Sequence, residues 1–404
     1  MKYRVKNIGG GILAAAGFSA VGVSAGVKKS GKKDIAVIDA GIAVPAAAVF
    51  TTSSMAAAPV EFSRANIESG KIRAAVVNSG NANACTGAKG LADAREMAEV
   101  AAHTLGCRPS EVIIASTGVI GVPLPMDILA DGIKAAVHAL PTGSADSAAA
   151  AIMTTDTTLK EAAVSFESEG MSFRVGGMAK GSGMIMPNMA TMLGFLTTDA
   201  PLDPDACRAA LLSANSETFN RITVDGETST NDMVLLMASG AASDETITTQ
   251  HPVYPAVVDA ITQVCRTLAH MIVKDGEGAT RFVSVTARGA ASLQDADAIA
   301  RSIANSPLFK TAIFGGDANW GRVAMAVGKT SAAVDPNKLE IIFAGITTCR
   351  EGQAVPFDEA EAARALAEPE IEVLVDLNLG DFEATVWTCD LSYEYVRING
   401  EYRS

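Results

Sequence analysis

The chain has 404 residues, more than one hydrophobic core usually supports, so two domains or two interleaved layers are expected. Apolar residues make up 49% of it and aromatic residues only 5%, which predicts a core of small and aliphatic side chains and excludes a disordered polymer. The formal net charge of −13, with no clustered block of Lys and Arg, excludes broad nucleic-acid binding and requires any anionic substrate to meet a local cation.

In chain order, Met1 to Gly26 carries early positive charge (Lys2, Arg4, Lys6) before Ala- and Gly-rich sequence, in the manner of a weak secretory leader. Gly17, Ser19, Gly22 and Ser24 interrupt its apolar run. Lys28 to Lys33 followed by Asp34-Ile35-Ala36-Val37-Ile38 reads instead as a hairpin turn entering a strand. Short β-like runs at 72–77 and 112–115 then alternate with Ala-rich helical stretches at 91–105 and 126–140, the pattern of a mixed α and β layer structure. Asp203 and Pro204 supply an N-cap and a first-turn proline for a helix to about Thr218, and a second long helix is expected over 253–273. Further strands are expected at 282–287, 311–314, 339–343, 371–375 and 384–396, with helices at 296–304 and 358–366 between them. These form a smaller C-terminal α+β unit, with its boundary placed near residue 290.

Cys85, Cys107, Cys207, Cys265, Cys349 and Cys389 are scattered, with no CxxC pair and no His at metal-ligand spacing. They read as reduced core thiols of a cytoplasmic protein that holds no metal. His103, His138, His251 and His270 belong to no motif, so a His-based triad is the weaker mechanism. No stretch reaches the roughly 20 apolar residues of a membrane span, so no membrane partner is expected.

The most informative segment runs from Gly176 to Leu193. Its glycines permit sharp turns and close backbone approach. It passes through Pro187-Asn188 into a strand-like run, Ala190-Thr191-Met192-Leu193-Gly194-Phe195-Leu196. A threonine hydroxyl is a weak nucleophile unless a base takes its proton, and a free N-terminal amine on the same residue can be that base. Cleavage of Ala190–Thr191 would create the amine, and alanine leaves room for attack on its own carbonyl. Spacing alone favours an ordinary glycine loop with one strand threonine. A phosphate loop fails on order, because Lys180-Gly181-Ser182 does not reproduce the Gly-Lys-Ser/Thr of that motif.

The run Lys180-Gly181-Ser182-Gly183-Met184-Ile185-Met186-Pro187-Asn188-Met189-Ala190-Thr191-Met192-Leu193 resembles the processing signature of the ornithine acetyltransferase (glutamate N-acetyltransferase) family. The resemblance extends along the chain, through Gly17-Phe18 with Gly22-Val23, residues 78–84, 116–121, 151–157, 220–226 and 276–280. It implies a mixed α/β (α+β) fold of layered sheets flanked by helices, akin to other self-processing Thr or Ser amidohydrolases, with a C-terminal domain over about 291–404. It also implies a split into an α chain of residues 1–190 and a β chain of residues 191–404. Thr191 would then be the nucleophile, and Thr117 and Gly118 the oxyanion-stabilising pair.

Substrate-binding positions implied by the same resemblance are Thr154, Lys180, Thr191, Glu277, Asn399 and Ser404. Lys180 supplies the cation for a substrate carboxylate, and Glu277, set among small residues, can pair with an amine of ornithine. The chain departs from the family at Ser404, where threonine is usual but serine keeps the hydroxyl, and at Ala318 in Asp317-Ala318-Asn319-Trp320-Gly321-Arg322, where the family has proline. The implied reaction moves acetyl from N2-acetyl-L-ornithine to L-glutamate through acetyl-Thr191, without a cofactor, in an assembly of two α and two β chains. Use of acetyl-CoA as a second donor is left open. So are two rivals: a self-processing aminopeptidase or amidase, and a non-catalytic amino-acid-binding protein.

Overall fold

A computed structural model describes residues 4–186 and 192–401. The nine strands of the first sheet are β1 (Arg4–Asn7), β2 (Ser19–Val23), β3 (Ile35–Phe50), β4 (Lys71–Asn81), β5 (Val112–Val119), β6 (Lys160–Ser168), β7 (Met171–Lys180), β8 (Leu193–Thr198) and β9 (Met233–Ala238). They run in the order β1-β6-β7-β8-β9-β3-β4-β5, with β2 paired to β3. The β4–β5 and β8–β9 pairs are parallel; every other pair in the sheet is antiparallel.

β3 turns this sheet into two layers. Its first part pairs with β2 and β4, its register shifts between Asp39 and Val44, and Ala46 to Phe50 pair with β9. Side chains alternate across each layer with the period of two that a pleated strand imposes. On β9, Met233, Leu235 and Met237 enter the core shared by the two layers, whereas Val234, Leu236 and Ala238 face outward. On β4 and β5, Ala75, Val77, Ile113 and Ala115 point into that same shared core, and Val76 and Ile114 point away.

Helices cover the two outer faces. α1 (Ala58–Ile67), α2 (Gly87–Leu105) and α3 (Met126–Ala139) come from the first half of the chain, and α5 (Pro204–Glu217) and α6 (Tyr254–Lys274) from the second, whereas α4 (Ala145–Ile152) sends Ala148, Ala149, Ala151 and Ile152 into the core shared by the two layers. Met97, Ala98 and Ala101 of α2 with Leu129, Ile133 and Ala136 of α3 pack on the β4–β5 layer. Ala210 and Leu211 of α5 with Val257, Ile261 and Val264 of α6 pack on the β7–β9 layer. The result is a helix–sheet–sheet–helix stack, the layered mixed architecture expected. By length and composition alone α6 is long and apolar enough to cross a membrane, but 61% of its most apolar window is buried inside the fold, as in a core helix.

A second sheet begins at Phe282, with strands β10 (Phe282–Ala290), β11 (Glu340–Phe343), β12 (Ile346–Arg350), β13 (Gln353–Ala354), β14 (Glu370–Asp376) and β15 (Phe382–Cys389) in the order β13-β12-β11-β14-β10-β15. α7 (Leu293–Ala304), α8 (Pro307–Phe314), α9 (Trp320–Gly328) and α10 (Glu359–Ala365) accompany it, and α11 (Tyr393–Glu401) follows. It encloses its own core, centred on Val283, Val285, Ile341, Phe343, Val373 and Val386.

Two sequence expectations fail here. The strand expected at 311–314 is the end of α8, because Ser306 accepts a hydrogen bond from the Phe309 N–H and Pro307 opens the first turn, so capping overrides the β-like run Thr-Ala-Ile-Phe. The strand expected over 384–396 stops at Cys389. Asp390 there accepts hydrogen bonds from the Thr280 and Arg281 N–H groups, which turns the chain out of the sheet, and α11 starts at Tyr393. The thiols are only partly core: all six cysteines are unpaired, but Cys85 is exposed and Cys107 half-buried. The expected hairpin after Lys28–Lys33 is present as the β2–β3 pair.

Candidate active site

Thr117 and Gly118 close β5, where the strand runs beside the end of β4 with Ser79 opposite Thr117 and Gly80 opposite Gly118. Gly118 has φ +137°, and a Cβ there would lie 2.3 Å from the Gly80 carbonyl carbon, so only glycine fits this crossing. Thr154 follows α4, Lys180 ends β7, Glu277 follows α6, and Asn399 lies on α11. These six residues, far apart in sequence, line one cavity of about 450 Å³, within the usual range for a small-molecule site. Met192 and Leu193, the first described residues after the proposed cleavage point, line it too. Ala190, Thr191 and Ser404 lie outside the described residues, as does the Pro187-Asn188 turn.

Lys180 is the cavity's central cation. It is 8% exposed, and its ammonium donates to Thr154 Oγ1 at 2.8 Å and to Thr117 Oγ1 at 3.3 Å. Burial pushes its pKa below that of an ordinary lysine, an effect opposed first by Asp156 and further by Asp232 and Glu277. Since both hydroxyls accept from Lys180, each retains its own proton to donate elsewhere. A second cation that the sequence reading missed, the half-buried Lys28, donates to the Lys33 and Met153 carbonyls, and burial lowers its pKa to about 8.

On the opposite wall Glu277 accepts a 2.7 Å hydrogen bond from the Asn399 amide, while its own N–H donates to the Ser182 carbonyl. Gly183 passes so close that a Cβ would sit 2.4 Å from the Glu277 carboxyl carbon, which explains a glycine at that point of the segment. Asp225 holds the next stretch by accepting from the Met184 and Ile185 N–H groups.

Behind the cavity lies a buried ion network that the sequence reading did not single out. Lys160, 1% exposed, donates to Asp156 at 2.8 Å and Asp275 at 2.5 Å. Asp156 also accepts from the N–H of Thr154 at 2.9 Å and of Gly181 at 2.7 Å. Burial raises the Asp156 pKa, but the charges of Lys180 and Lys160 and its hydrogen bonds outweigh it and hold the carboxyl far below the usual range. One carboxylate therefore fixes the backbone on which both Thr154 and Lys180 stand. The only signal for it in the sequence is the pair Asp156 and Lys160, separated by four residues and flanked by threonines.

Asp232 is the other residue missed. It lines the cavity, is 2% exposed, and its Oδ2 has no hydrogen-bond partner among the described residues. No histidine lines the described cavity; His270 packs between Phe282 and Trp387, and burial drops its pKa to about 4.

Layered sheets with a cavity beside the start of β8 that gathers Lys180, Asp232 and Glu277 define an α/β enzyme with a charged small-molecule site. Residues 19–404 match the model of the ArgJ family. The chain is 52% identical over 400 residues to the arginine biosynthesis bifunctional protein ArgJ of Symbiobacterium thermophilum, covering 98% of this chain and 99% of that one. Among solved structures it is similar to the ArgJ protein of Bacillus halodurans (44% identity, 51% of this chain and 97% of that chain, TM-score 0.49). It is similar also to an ornithine acetyltransferase of Mycobacterium tuberculosis solved with ornithine (42% identity, 47% of this chain and 100% of that chain, TM-score 0.43). The chain belongs to the ArgJ family.

Proposed function

We propose that this protein is a glutamate N-acetyltransferase of arginine biosynthesis, acting in the cytoplasm, which carries acetyl from N2-acetyl-L-ornithine to L-glutamate on Thr191. The observation that carries the reading is the convergence of Thr117, Gly118, Thr154, Lys180, Glu277 and Asn399 on one cavity beside Met192. Ala190–Thr191 is the bond cut in maturation, which gives an α chain of residues 1–190 and a β chain of residues 191–404, two of each in the assembly. Within the β chain a C-terminal domain covers about 291–404.

In the transfer, Lys180 meets a substrate carboxylate, and Glu277, oriented by Asn399, meets an amine of ornithine. The Thr191 hydroxyl attacks the acetyl carbon, and the Thr117 hydroxyl with the Gly118 N–H stabilises the resulting oxyanion, each donor contributing about 3–4 kcal/mol. Ornithine leaves, glutamate enters the same pocket, and its amine takes the acetyl group. Ser404 is the remaining substrate contact. Acetyl-CoA as a second donor is the finer reading consistent with the word bifunctional in the relative's name.

Intact mass of the purified protein, before and after incubation with N2-acetylornithine, tests this directly. Two co-purifying fragments are expected, the second gaining one acetyl group, and Thr191→Ala should remain a single chain. A Thr191→Ala protein that still splits at the same bond refutes the nucleophile. Release of free acetate at the same rate with and without glutamate would identify an amidase instead.

A further inference from the structure

The amine that serves as base in the mature protein does not exist before the chain is cut, because the Thr191 nitrogen is then part of an amide. The first reaction therefore needs a different group to take the hydroxyl proton. Three titratable side chains line the described cavity: Lys180, Glu277 and Asp232. Lys180 is engaged with Thr117 and Thr154, and Glu277 with Asn399. Asp232 alone keeps an unpartnered oxygen, Oδ2, in a side chain that is 2% exposed.

Its place in the sheet points the same way. β8 and β9 are parallel with Leu193 opposite Met233, so Asp232 stands one step before that pair, next to Met192. The Met233 N–H donates to the Met192 carbonyl at 2.9 Å, and the Thr51 N–H donates to the Asp232 carbonyl at 3.0 Å. Asn231 anchors the same turn by donating to the Ala82 and Ser116 carbonyls, beside the end of β5. The Met192 N–H itself lies against the Asp232 carboxyl, which sets that carboxyl at the residue directly following the proposed nucleophile in the chain.

We propose that Asp232 is the general base, and then the general acid, of chain cleavage. The inference rests on Thr191 as nucleophile. The Thr191 hydroxyl proton passes to the carboxylate as the oxygen bonds to the Ala190 carbonyl carbon. The tetrahedral oxyanion collapses, the bond from Ala190 carbon to Thr191 nitrogen breaks, and the Asp232 carboxyl returns the proton to that nitrogen. Water then hydrolyses the Ala190–Thr191 ester, which frees the Ala190 carboxylate and restores the hydroxyl. Burial raises the Asp232 pKa well above the carboxylate range, against the Ser229 hydroxyl and the charge of Lys180, so the ionised form is a stronger base than an exposed aspartate. Cleavage should accordingly accelerate as pH rises through that raised value and then level off.

The test uses full chains made in a cell-free reaction, with fragment appearance followed by mass after translation is stopped and the pH set. Asp232→Asn, nearly isosteric, should slow cleavage at least about a hundredfold, since general base catalysis typically contributes 10²–10⁴-fold. Asp232→Ala should be equally slow and should recover on adding formate, a carboxylate small enough for the vacated space. Circular dichroism verifies that each chain is folded. Asn-variant cleavage within a few fold of wild type overturns the assignment, as does a folded Ala variant that formate does not accelerate. Should neither variant fold, a wild-type cleavage rate that does not change between acid and alkaline pH overturns it by itself. A Thr191→Ala chain run alongside separates the two readings: if it splits, the nucleophile is wrong, whereas if it stays intact while Asp232→Asn splits normally, only the base is wrong.

Discussion

Lys180→Met deletes the one cation that lines the cavity among the described residues, while keeping most of the apolar stem. In the wild-type protein the ammonium is 8% exposed and is surrounded by the charges of Asp156, Asp232 and Glu277. Lys160 still compensates Asp156 in the variant, because it donates to that carboxylate independently at 2.8 Å. The loss is then felt where a substrate carboxylate would sit and at Asp232 and Glu277, which no longer face that charge. One hydrogen bond to a charged group is worth about 1.5–3 kcal/mol, and at about 1.36 kcal/mol per decade this is roughly 10- to 150-fold in kcat/KM. Steady-state assays with acetylornithine and glutamate varied separately should show KM rising for both, because both present a carboxylate to the same cation.

The pH dependence follows with its sign. Burial lowers the Lys180 pKa, so its charge is complete below that lowered value and is lost as pH rises through it, before an ordinary lysine would titrate. KM in the wild type should climb on the alkaline side, and in Lys180→Met the climb should vanish. An unchanged KM for both substrates in the variant would refute the assignment of this charge.

Thr117→Ala removes a hydroxyl needed most in the transition state; single-turnover acetylation of the β chain should fall about a hundredfold or more, with KM changing less, and an unaltered rate would make Thr117 a turn residue only. Glu277→Gln should raise KM for acetylornithine more than for glutamate, since only ornithine brings a second amine, and equal losses in the two assays would contradict that pairing. Asp156→Asn leaves Lys160 with Asp275 alone and should cost about 3–5 kcal/mol, the usual penalty for breaking a buried ion pair, read as a lower urea midpoint. Because the folded Asp156 pKa is depressed, its stabilisation is full above the unfolded value of about 3.9 and declines as pH falls below it, so variant and wild type should converge in strong acid.

Much of the fold was legible because local rules agreed with the tertiary outcome. Asp203 accepts from the Ala206 N–H and Pro204 opens α5, as the sequence signal predicts, and the helix ends at Glu217, within one residue of the expected stop. Where rules competed, the β-branched or aromatic run lost to a cap, as at Ser306 and α8, or to a side-chain turn, as at Asp390. The layering itself was not readable from periodicity, because it depends on β3 leaving one partner and joining another within a single 16-residue strand.

The candidate site was legible mainly through resemblance. Thr154, Lys180 and Glu277 have no mutual spacing in the sequence, and it is the ends of α4, β7 and α6 that bring them to one cavity. Asp156, Lys160 and Asp232 escaped notice for a different reason. Their roles depend on burial and on which oxygen lacks a partner, and residue order shows no more of this than the close spacing of Asp156 and Lys160.

The pairing of β7 with β8 bears on how such a protein can be put together. Six residue pairs, from Val175 with Thr198 to Lys180 with Leu193, join strands that lie on opposite sides of the proposed break, and β3 with β9 is a second ladder between the same two parts. A fragment of residues 1–190 made alone would offer β7 and the end of β3 as unpaired edges beside an uncovered apolar layer, which is a template for aggregation. The order of events is thus constrained, with folding first and cutting second. If the chain is cut at the proposed bond, the molecule exchanges a first-order refolding reaction for a second-order one, so recovery after denaturation should slow on dilution. The half-life of the assembled fold, more than its equilibrium stability, would then set its working lifetime.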